Sequence, residues 1–165
     1  DTKLWIRGAN GIGKSTLLKT LMGIIPPLSG SFAFHIAARP AYLEQDLKFR
    51  EQDTNAFNYI SDCFPRFNQK EIRSQLARVG IKGEMSLQNV KTMSGGEQVR
   101  IRLLTIMNVT SNILILDEPT NHLDVNAKES LQKAIADYEG AVILVSHDKT
   151  FAESVCDKTL TLKQL

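Results

Sequence analysis

A glycine-rich stretch near the start of the chain constrains the fold more than any other part of the sequence. It consists of Gly8, Ala9, Asn10, Gly11, Ile12, Gly13, Lys14, Ser15 and Thr16. Residues 3–7 before it have the pattern of a short strand, and residues 15–22 after it have the pattern of a helix that stops at Gly23. A strand, a loop of the form G-x-x-x-x-G-K-[ST] and a helix are together typical of a loop that binds phosphate through its backbone N–H groups. The stretch therefore predicts a nucleotide site.

Lys14 and Ser15 supply the side chains of this predicted site. A lysine at this position reaches the β- and γ-phosphates of a nucleoside triphosphate, and the serine hydroxyl binds Mg²⁺. The first turn of the helix adds unpaired N–H groups and the positive end of its dipole. The alternative is a glycine-rich turn that carries a surface lysine, but the flanking strand and helix favour phosphate binding.

Composition limits the class of protein and of partner. Of the 165 residues, 42% are apolar and 23% are charged, an ordinary globular mixture that suits one domain. The net charge of +2 is too small to indicate binding to nucleic acid or to a membrane surface. No apolar run approaches the roughly 18 residues of a membrane span, so we expect no direct membrane insertion. Because one strand precedes Gly8 and no methionine begins the chain, we expect a fragment of a longer protein, truncated at its N-terminus.

Strands alternate with helices along the chain. The predicted strands are residues 3–7, 31–36, 41–43, 113–116, 141–145 and 159–162. This alternation predicts an α/β fold with a mainly parallel sheet flanked by helices, and the glycine-rich loop resembles that of P-loop NTPases. Gly8, Asp117 and Ser146 each follow directly on a predicted strand, and parallel sheets bind their ligands at the carboxyl ends of the strands. We therefore expect these three residues to meet at one edge of the sheet.

A helical segment at residues 53–91 interrupts the α/β pattern. Asp53 or Thr54 can cap its first helix, and Asn68 followed by Glu71 has the pattern of a capping box for its second helix. We expect this segment to form a small helical subdomain set into an α/β ATP-binding core that comprises residues 1–52 and 92–165.

Acidic and polar side chains follow several of the predicted strands. Asp117 can hold Mg²⁺ opposite the serine of the loop, and Glu118 can orient or deprotonate an attacking water. Pro119 argues against the alternative that this acidic pair caps a helix. Gln45 is a candidate ligand for Mg²⁺ or the water, with an exposed corner glutamine as the alternative. His147 is a candidate donor to the γ-phosphate, with a helix cap as the alternative.

A second candidate anion site lies at the start of a long helix. It consists of Ser94, Gly95, Gly96 and Glu97, where a capping serine and two glycines leave N–H groups free for phosphate. The alternative is a simple capping box formed by Ser94 and Glu97. Because the first loop already holds a phosphate group, this second site suggests contact with a nucleotide that is bound to another subunit or domain.

These motifs, in this order, resemble those of an ATP-binding cassette (ABC) nucleotide-binding domain over nearly the whole chain. They are the phosphate loop (Walker A), Gln45, residues 94–98 (the signature), residues 113–118 (Walker B) and residues 146–148. In that family two such domains sandwich two ATP molecules head to tail. The resemblance implies ATP and Mg²⁺ as ligands and a second cassette as a partner, either in the same chain or in a homodimer.

The resemblance also implies roles for single residues. The predicted contacts to phosphate and metal come from Lys14, Ser15, Thr16, Gln45 and Asp117. Glu118 and His147 are implied as catalytic residues, acting on the water and on the γ-phosphate. The signature contacts the ATP of the partner. Asp124, which can cap the helix after it, lies in the loop that crosses to that partner.

Residues 117–124 resemble the F subfamily, which comprises soluble tandem-cassette proteins that act on ribosomes, including translation factors and antibiotic-resistance proteins. Transport cassettes more often carry serine and alanine where Asn121 and His122 stand. The resemblance implies a cytoplasmic ATPase with the ribosome as partner, and the interval between Gln45 and Ser94 favours the second cassette. The alternatives are the ATPase of a membrane transporter and, for a fragment without the partner signature, nucleotide binding without turnover.

Overall fold

The computed structural model describes residues 2–44, 49, 53–121 and 123–163. The chain forms two compact units, which we call the sheet unit and the helical unit. The sheet unit comprises Asp1–Gln45, Thr110–Asn121 and Gln132–Leu165, and the helical unit comprises Asp46–Val109 and His122–Leu131. The predicted helical segment 53–91 falls inside the wider helical unit, and its domain boundaries remain a prediction.

Strands and helices alternate as the sequence predicts. The strands are β1 (Lys3–Arg7), β2 (Pro40–Leu43), β3 (Ile113–Asp117), β4 (Ala141–Val145) and β5 (Lys158–Thr161). The α-helices are α1 (Lys14–Leu21), α2 (Ala56–Cys63), α3 (Gln69–Arg78), α4 (Gly95–Asn108), α5 (Val125–Ala136) and α6 (Lys149–Val155). Two short 3₁₀ helices cover Gly83–Leu87 and Val90–Thr92. The fold class is therefore α/β, as predicted. Among the described residues, no helix combines the length and the hydrophobicity that crossing a membrane requires.

The sheet unit is built on five parallel strands in the order β2-β3-β4-β1-β5. The central strands β3 and β4 consist almost entirely of aliphatic residues, as strands covered on both faces do. Ile6, Leu18, Ile115 and Val145 form a fully buried cluster that joins β1, α1, β3 and β4. This packing fixes α1 against the sheet, directly after the glycine-rich loop.

The register of the strands brings the predicted site to one edge. Asp117, the last residue of β3, pairs with Val145, the last residue of β4, and Val145 also pairs with Ile6 of β1. Because these strands are parallel, the loop after β1 and the residues after β3 and β4 all leave the sheet at its carboxyl edge. The expected meeting of Gly8, Asp117 and Ser146 at one edge is confirmed.

The helical unit has its own apolar core. Its buried members are Phe49, Ala56, Tyr59, Ile60, Phe64, Ile72, Leu76, Ile81, Val90, Met93, Ile101 and Leu104. Asn68 and Glu71 form the predicted capping box at the start of α3. The cap of α2 differs from the prediction. Asn55, rather than Asp53 or Thr54, accepts a hydrogen bond from the Asn58 N–H at 2.8 Å, because it immediately precedes the first helical turn.

The strand predicted at residues 31–36 is wrong. Among the described residues, this segment pairs with no strand, and β2 begins only at Pro40. Its alternating pattern places Phe32 and Ile36 at 43% and 99% exposure, so neither side chain covers a core. Alternation gives a segment the propensity for a strand, but a strand also needs a neighbour with which to share its hydrogen bonds.

Candidate functional site

A cavity of about 370 Å³ opens at the carboxyl edge of the sheet unit. Its lining comes from the glycine-rich loop and from the ends of β3 and β4, and consists of Asn10, Gly11, Gly13, Lys14, Ser15, Thr16, Glu118, Val145 and His147. Most of the predicted phosphate-binding residues and both predicted catalytic residues therefore face one space. The volume suits the polyphosphate part of a nucleotide.

Glycines shape the loop into a cup of backbone amides. Gly11 and Gly13 have φ angles of 75° and 101°, in the left-handed region that other L-residues avoid. A Cβ on Gly8 would lie 3.1 Å from the Leu162 carbonyl oxygen, a tight contact that glycine avoids. Gly13 precedes α1 without a side-chain cap, which leaves the first N–H groups of the helix available to an anion.

Lys14 lies over this cup and is only 8% exposed. Its Nζ donates to the carbonyl oxygens of Gly8 at 3.0 Å and Ala9 at 3.1 Å. An ammonium group in water would normally be hydrated, so the loop carbonyls stand in for solvent around a cation that has been brought into a cleft. A phosphate oxygen bound in the cup would lie close to this ammonium group.

Asp117 ends β3 as a buried carboxylate at 1% exposure. Its Oδ2 accepts a hydrogen bond from the Tyr42 hydroxyl at 3.4 Å, whereas its Oδ1 has no hydrogen-bond partner among the described residues. Burial raises the pKa of the Asp117 carboxyl, and the nearby Ser15 and Tyr42 hydroxyls partly oppose that shift. A buried carboxylate oxygen without a partner is costly unless something binds it, and a cation fits that need.

The donor set near Asp117 suits Mg²⁺. A carboxylate and a serine hydroxyl are hard oxygen ligands, and Mg²⁺ is commonly held by one or two such groups together with substrate phosphates and waters. The part of the chain that the structure describes contains no cluster of three His, Cys, Asp or Glu side chains that could form an all-protein metal cage. Gln45, the other predicted ligand, lies outside the described residues.

Glu118 occupies a strained position beside the cavity. Its φ of 50° is the only positive value for a residue other than glycine in the described chain. The backbone is held there because the Glu118 N–H donates to the Val145 carbonyl at 2.9 Å and the Asn121 N–H donates to the Glu118 carbonyl at 3.2 Å. Such strain is concentrated at functional sites, where it aims a side chain.

His147 contacts the Glu118 carboxylate at both oxygens, but only Oε2 accepts a hydrogen bond from it. The backbone N–H of His147 donates to Oε2 at 3.1 Å, and Nε2 of its ring lies 3.1 Å from Oε1. Glu118 is 6% exposed, whereas the His147 side chain is 55% exposed, so the histidine forms the solvent side of the pair. The two predicted catalytic residues are thus adjacent, at the mouth of the same cavity.

Trp5, Thr120 and Ser146 form a buried hydrogen-bonded group that no sequence motif predicted. The Trp5 indole donates to the Ser146 carbonyl at 3.1 Å in a buried contact, and the Ser146 hydroxyl lies 3.3 Å from that of Thr120. The Asp148 N–H donates to the same serine hydroxyl at 3.1 Å. A tryptophan within a buried strand was a possible signal, since a buried indole N–H needs an acceptor.

The signature lies in the helical unit, at the start of α4. The Ser94 N–H donates to Glu97 Oε2 at 2.8 Å, and the Glu97 N–H donates to the Ser94 hydroxyl at 3.4 Å, so the capping box predicted as the alternative is present. Ser94 and Gly95 are exposed. Asp124 caps α5 as predicted, since its Oδ1 accepts from the Ala127 N–H at 2.8 Å. Contact of these residues with a partner's nucleotide remains a prediction.

Comparison with known proteins agrees with this geometry. Residues 1–121 match the family model described as ABC transporter. The chain is 41% identical over 157 residues to the uncharacterized ABC transporter ATP-binding protein YfmM of Bacillus subtilis, which covers 95% of this chain and 30% of YfmM. It is 38% identical over 157 residues to ATP-binding cassette sub-family F member 3 of Mus musculus, with 94% and 22% covered. The chain therefore spans less than a third of the length of these relatives.

Solved structures share the fold over almost the whole chain. A chain in the complex of the archaeal ribosomal stalk protein aP1 with the archaeal ribosome recycling factor aABCE1 matches with a TM-score of 0.83 and 26% identity, covering 99% of this chain and 32% of that one. A putative ABC transporter ATP-binding protein from Pyrococcus furiosus matches with a TM-score of 0.80 and 24% identity, covering 98% and 84%. The second likeness shows the fold alone.

The family match includes the phosphate loop, Asp117 at the end of β3 and Glu118 directly after it. The parallel sheet that carries them is also the sheet of the solved ABC ATPase domains. The chain belongs to the ABC transporter family and is an ATP-binding cassette nucleotide-binding domain.

Proposed function

We propose that the chain binds ATP with Mg²⁺ and hydrolyses it as one cassette of an F-subfamily ABC protein that acts on the ribosome. The observation that carries the ATPase part is the cavity at the carboxyl edge of the sheet unit, where an amide cup, an ammonium group and the buried Glu118 carboxylate share one space. Such an arrangement supplies what a phosphoryl transfer needs from a protein, namely positioning and stabilisation of charge.

The phosphate loop is the group that binds the triphosphate. Residues 8–16 would surround the β- and γ-phosphates with N–H groups, and Lys14 would exchange its bonds to the Gly8 and Ala9 carbonyls for bonds to phosphate oxygens. Ser15, Asp117 and Gln45 would hold the magnesium ion. When bound, the ion neutralises charge that develops on the phosphates.

Glu118 and His147 are the groups that act on the attacking water. The Glu118 carboxylate faces the cavity and would accept a proton from the water or orient it. His147 contacts both carboxylate oxygens of Glu118. Its exposed ring would donate to the γ-phosphate. The backbone N–H of His147 restrains the Glu118 carboxylate beside the cavity, where the water would bind.

A second cassette would complete the site. The signature residues Ser94, Gly95, Gly96 and Glu97 belong to the helical unit and would contact an ATP molecule held by a partner cassette, while Asp124 would lie in the crossing loop. A chain without such a partner would bind nucleotide with little or no turnover, which is the second candidate function. The exposure of Ser94 and Gly95 favours a role across an interface.

The ribosomal role is supported by the relatives. One is ATP-binding cassette sub-family F member 3, and one structural neighbour is the archaeal ribosome recycling factor aABCE1. Residues 117–124 also have the F-type sequence. A translation factor and an antibiotic-resistance protein both fit this class, and either would be cytoplasmic. The ATPase of a membrane transporter is the alternative, because the family as a whole includes transporters.

Co-sedimentation separates the two roles. In cell lysates supplied with a non-hydrolysable ATP analogue, we expect the protein to sediment with ribosomes through a sucrose cushion and to leave that fraction when the analogue is replaced by ADP. Recovery with the membrane fraction instead, unchanged by ribosome removal, would support the transporter role. The Lys14→Ala variant is the matched control, because it keeps the surface of the protein but should lose nucleotide-dependent sedimentation.

A further inference from the structure

Tyr42 lies beside the predicted magnesium ligand although it belongs to a different strand. In the parallel register of β2 and β3, Tyr42 is level with Ile115, two residues before Asp117. Residues two apart in a strand point to the same face, so Tyr42, Ile115 and Asp117 share one face of the sheet. The tyrosine ring packs against the buried cluster that includes Ile115 and Leu18. Its hydroxyl therefore reaches past Ile115 to the carboxylate at the end of the neighbouring strand.

The contact involves only one of the two Asp117 oxygens. The Tyr42 hydroxyl lies 3.4 Å from Oδ2, and Oδ1 has no hydrogen-bond partner among the described residues. A tyrosine hydroxyl is protonated at neutral pH, and an ionised carboxylate can only accept, so the tyrosine is the donor. Tyr42 thus occupies one oxygen and leaves the other available for a ligand.

The nearby charged groups do not replace this donor. Lys19 is a cation near Asp117, but its Nζ forms a 2.6 Å ion pair with Glu44 at the surface. A lysine bound directly to Asp117 would cancel the negative charge that a metal needs. A neutral hydroxyl on Oδ2 instead restrains the carboxylate and keeps its charge.

We propose that Tyr42 is a positioning residue for the metal site, which fixes the rotation of the Asp117 carboxylate so that Oδ1 faces the magnesium ion of bound ATP. The inference rests on the proposed function, because it requires that Asp117 serves the metal. Partners that orient a metal ligand typically change metal affinity by about 10–100-fold when they are removed, and the 3.4 Å length of this bond puts Tyr42 at the lower end.

The test is the affinity for ATP with and without magnesium. The dissociation constant is measured on the purified protein in excess Mg²⁺ and again in EDTA, for wild type and Tyr42→Phe. We expect Tyr42→Phe to weaken binding about tenfold in Mg²⁺ and to leave the affinity in EDTA within about twofold of wild type. A purely structural role for Tyr42 would shift both constants together, so the ratio of the two separates positioning from stability.

Two further variants make the result decisive. Tyr138→Phe is the matched control, because it removes a hydroxyl that lies 2.8 Å from the Ser111 hydroxyl in the same unit, away from the cavity, and it should change neither constant. Asp117→Asn should lose the magnesium-dependent part of the affinity. An unchanged Mg²⁺ constant in Tyr42→Phe, or an equal shift in both buffers, would overturn the inference. If the wild-type protein bound ATP neither in Mg²⁺ nor in EDTA, the proposed function itself would be wrong.

Discussion

Lys14 holds its ammonium group within the phosphate loop, 3.0 Å from the Gly8 carbonyl oxygen and 3.1 Å from that of Ala9. These contacts hold the cation in the cup. Replacing the lysine by alanine would remove a charge-assisted contact to the triphosphate. We expect Lys14→Ala to weaken ATP binding by about 1.5–3 kcal/mol. Equilibrium binding of a fluorescent ATP analogue measures this loss.

Lys133→Ala is the control for that measurement. Lys133 is exposed near the end of α5 and carries the same charge, so its removal tests whether net charge alone matters. The Lys133→Ala variant should bind ATP with the same affinity as the wild-type protein. If Lys14→Ala also bound ATP with unchanged affinity, the role assigned to the loop lysine would be wrong.

Glu118 combines a left-handed backbone with a nearly buried carboxylate that His147 contacts. As the proposed general base it should act on turnover and not on binding. We expect Glu118→Gln to lower the rate of ATP hydrolysis by about 10²–10⁴-fold while ATP affinity is kept. Steady-state phosphate release and equilibrium binding on the same preparation test both halves of this statement.

Glu139→Gln is the control, because it makes the same change from a carboxylate to an amide at an exposed position. It should leave the rate of ATP hydrolysis unchanged. Wild-type turnover in Glu118→Gln would remove this residue from the mechanism. A loss of binding together with turnover would instead indicate a structural role for the carboxylate.

The elements of this chain differ in how far the sequence predicts them. The loop, α1, β3 and β4 were predictable, because a strand–loop–helix pattern and two uninterrupted aliphatic runs leave few alternatives. The capping box of α3 was also predictable, because it depends on two residues that are three positions apart. All these patterns involve residues that are close together in the sequence. They can therefore be interpreted without knowledge of the tertiary structure.

The wrongly predicted strand and the contacts that were not predicted both depend on how strands pair in the sheet. Residues 31–36 alternate like a strand but have no partner strand in the described part of the chain. The contacts of Tyr42 with Asp117 and of Trp5 with Ser146 join residues 75 and 141 positions apart, respectively. Such contacts depend on which strands become neighbours and in which register they pair. Neither the order of the strands nor their register can be predicted from a single sequence. The predicted metal and water residues met at one edge because parallel strands end on the same side, whatever their exact register.

The cap of α3 allows the helical unit to be tested as an element. The Asn68 side chain accepts a hydrogen bond from the Glu71 N–H at 3.0 Å, and the Asn68 backbone N–H donates one to the Glu71 carboxylate at 2.7 Å. We expect Asn68→Ala to lower the free energy of unfolding by about 1 kcal/mol, measured by urea denaturation. Ser74→Ala, at an exposed position inside the same helix, should be neutral or slightly stabilising. Equal stability of Asn68→Ala and wild type would contradict the capping role.

At the scale of the whole molecule, the chain consists of two compact units and spans less than a third of its relatives' length. The phosphate loop and the acidic residues belong to the sheet unit, and the signature belongs to the helical unit. In the proposed two-cassette arrangement, each ATP molecule needs the sheet unit of one cassette and the signature of another. Turnover by this chain alone should therefore depend on encounters between copies.

The dependence on concentration tests this arrangement. We expect the ATPase rate per mole of this chain to rise with protein concentration and to vanish on dilution, as for a site shared between two copies. The control is Ser94→Ala, which should fold normally and abolish the concentration-dependent part. A rate per mole that stays constant down to high dilution would mean that one copy carries a complete site.

The central claim is that the amide cup of the phosphate loop and Lys14 bind the triphosphate tail of ATP. The most direct test is a crystal structure of the protein grown with Mg²⁺ and a non-hydrolysable ATP analogue. We predict phosphate oxygens within hydrogen-bond distance of the backbone N–H groups of residues 11–16, and Lys14 Nζ moved from the Gly8 and Ala9 carbonyls to the phosphates. A loop that stays empty in the correctly folded protein, with Lys14 still bound to its own carbonyls at saturating analogue, would contradict the account.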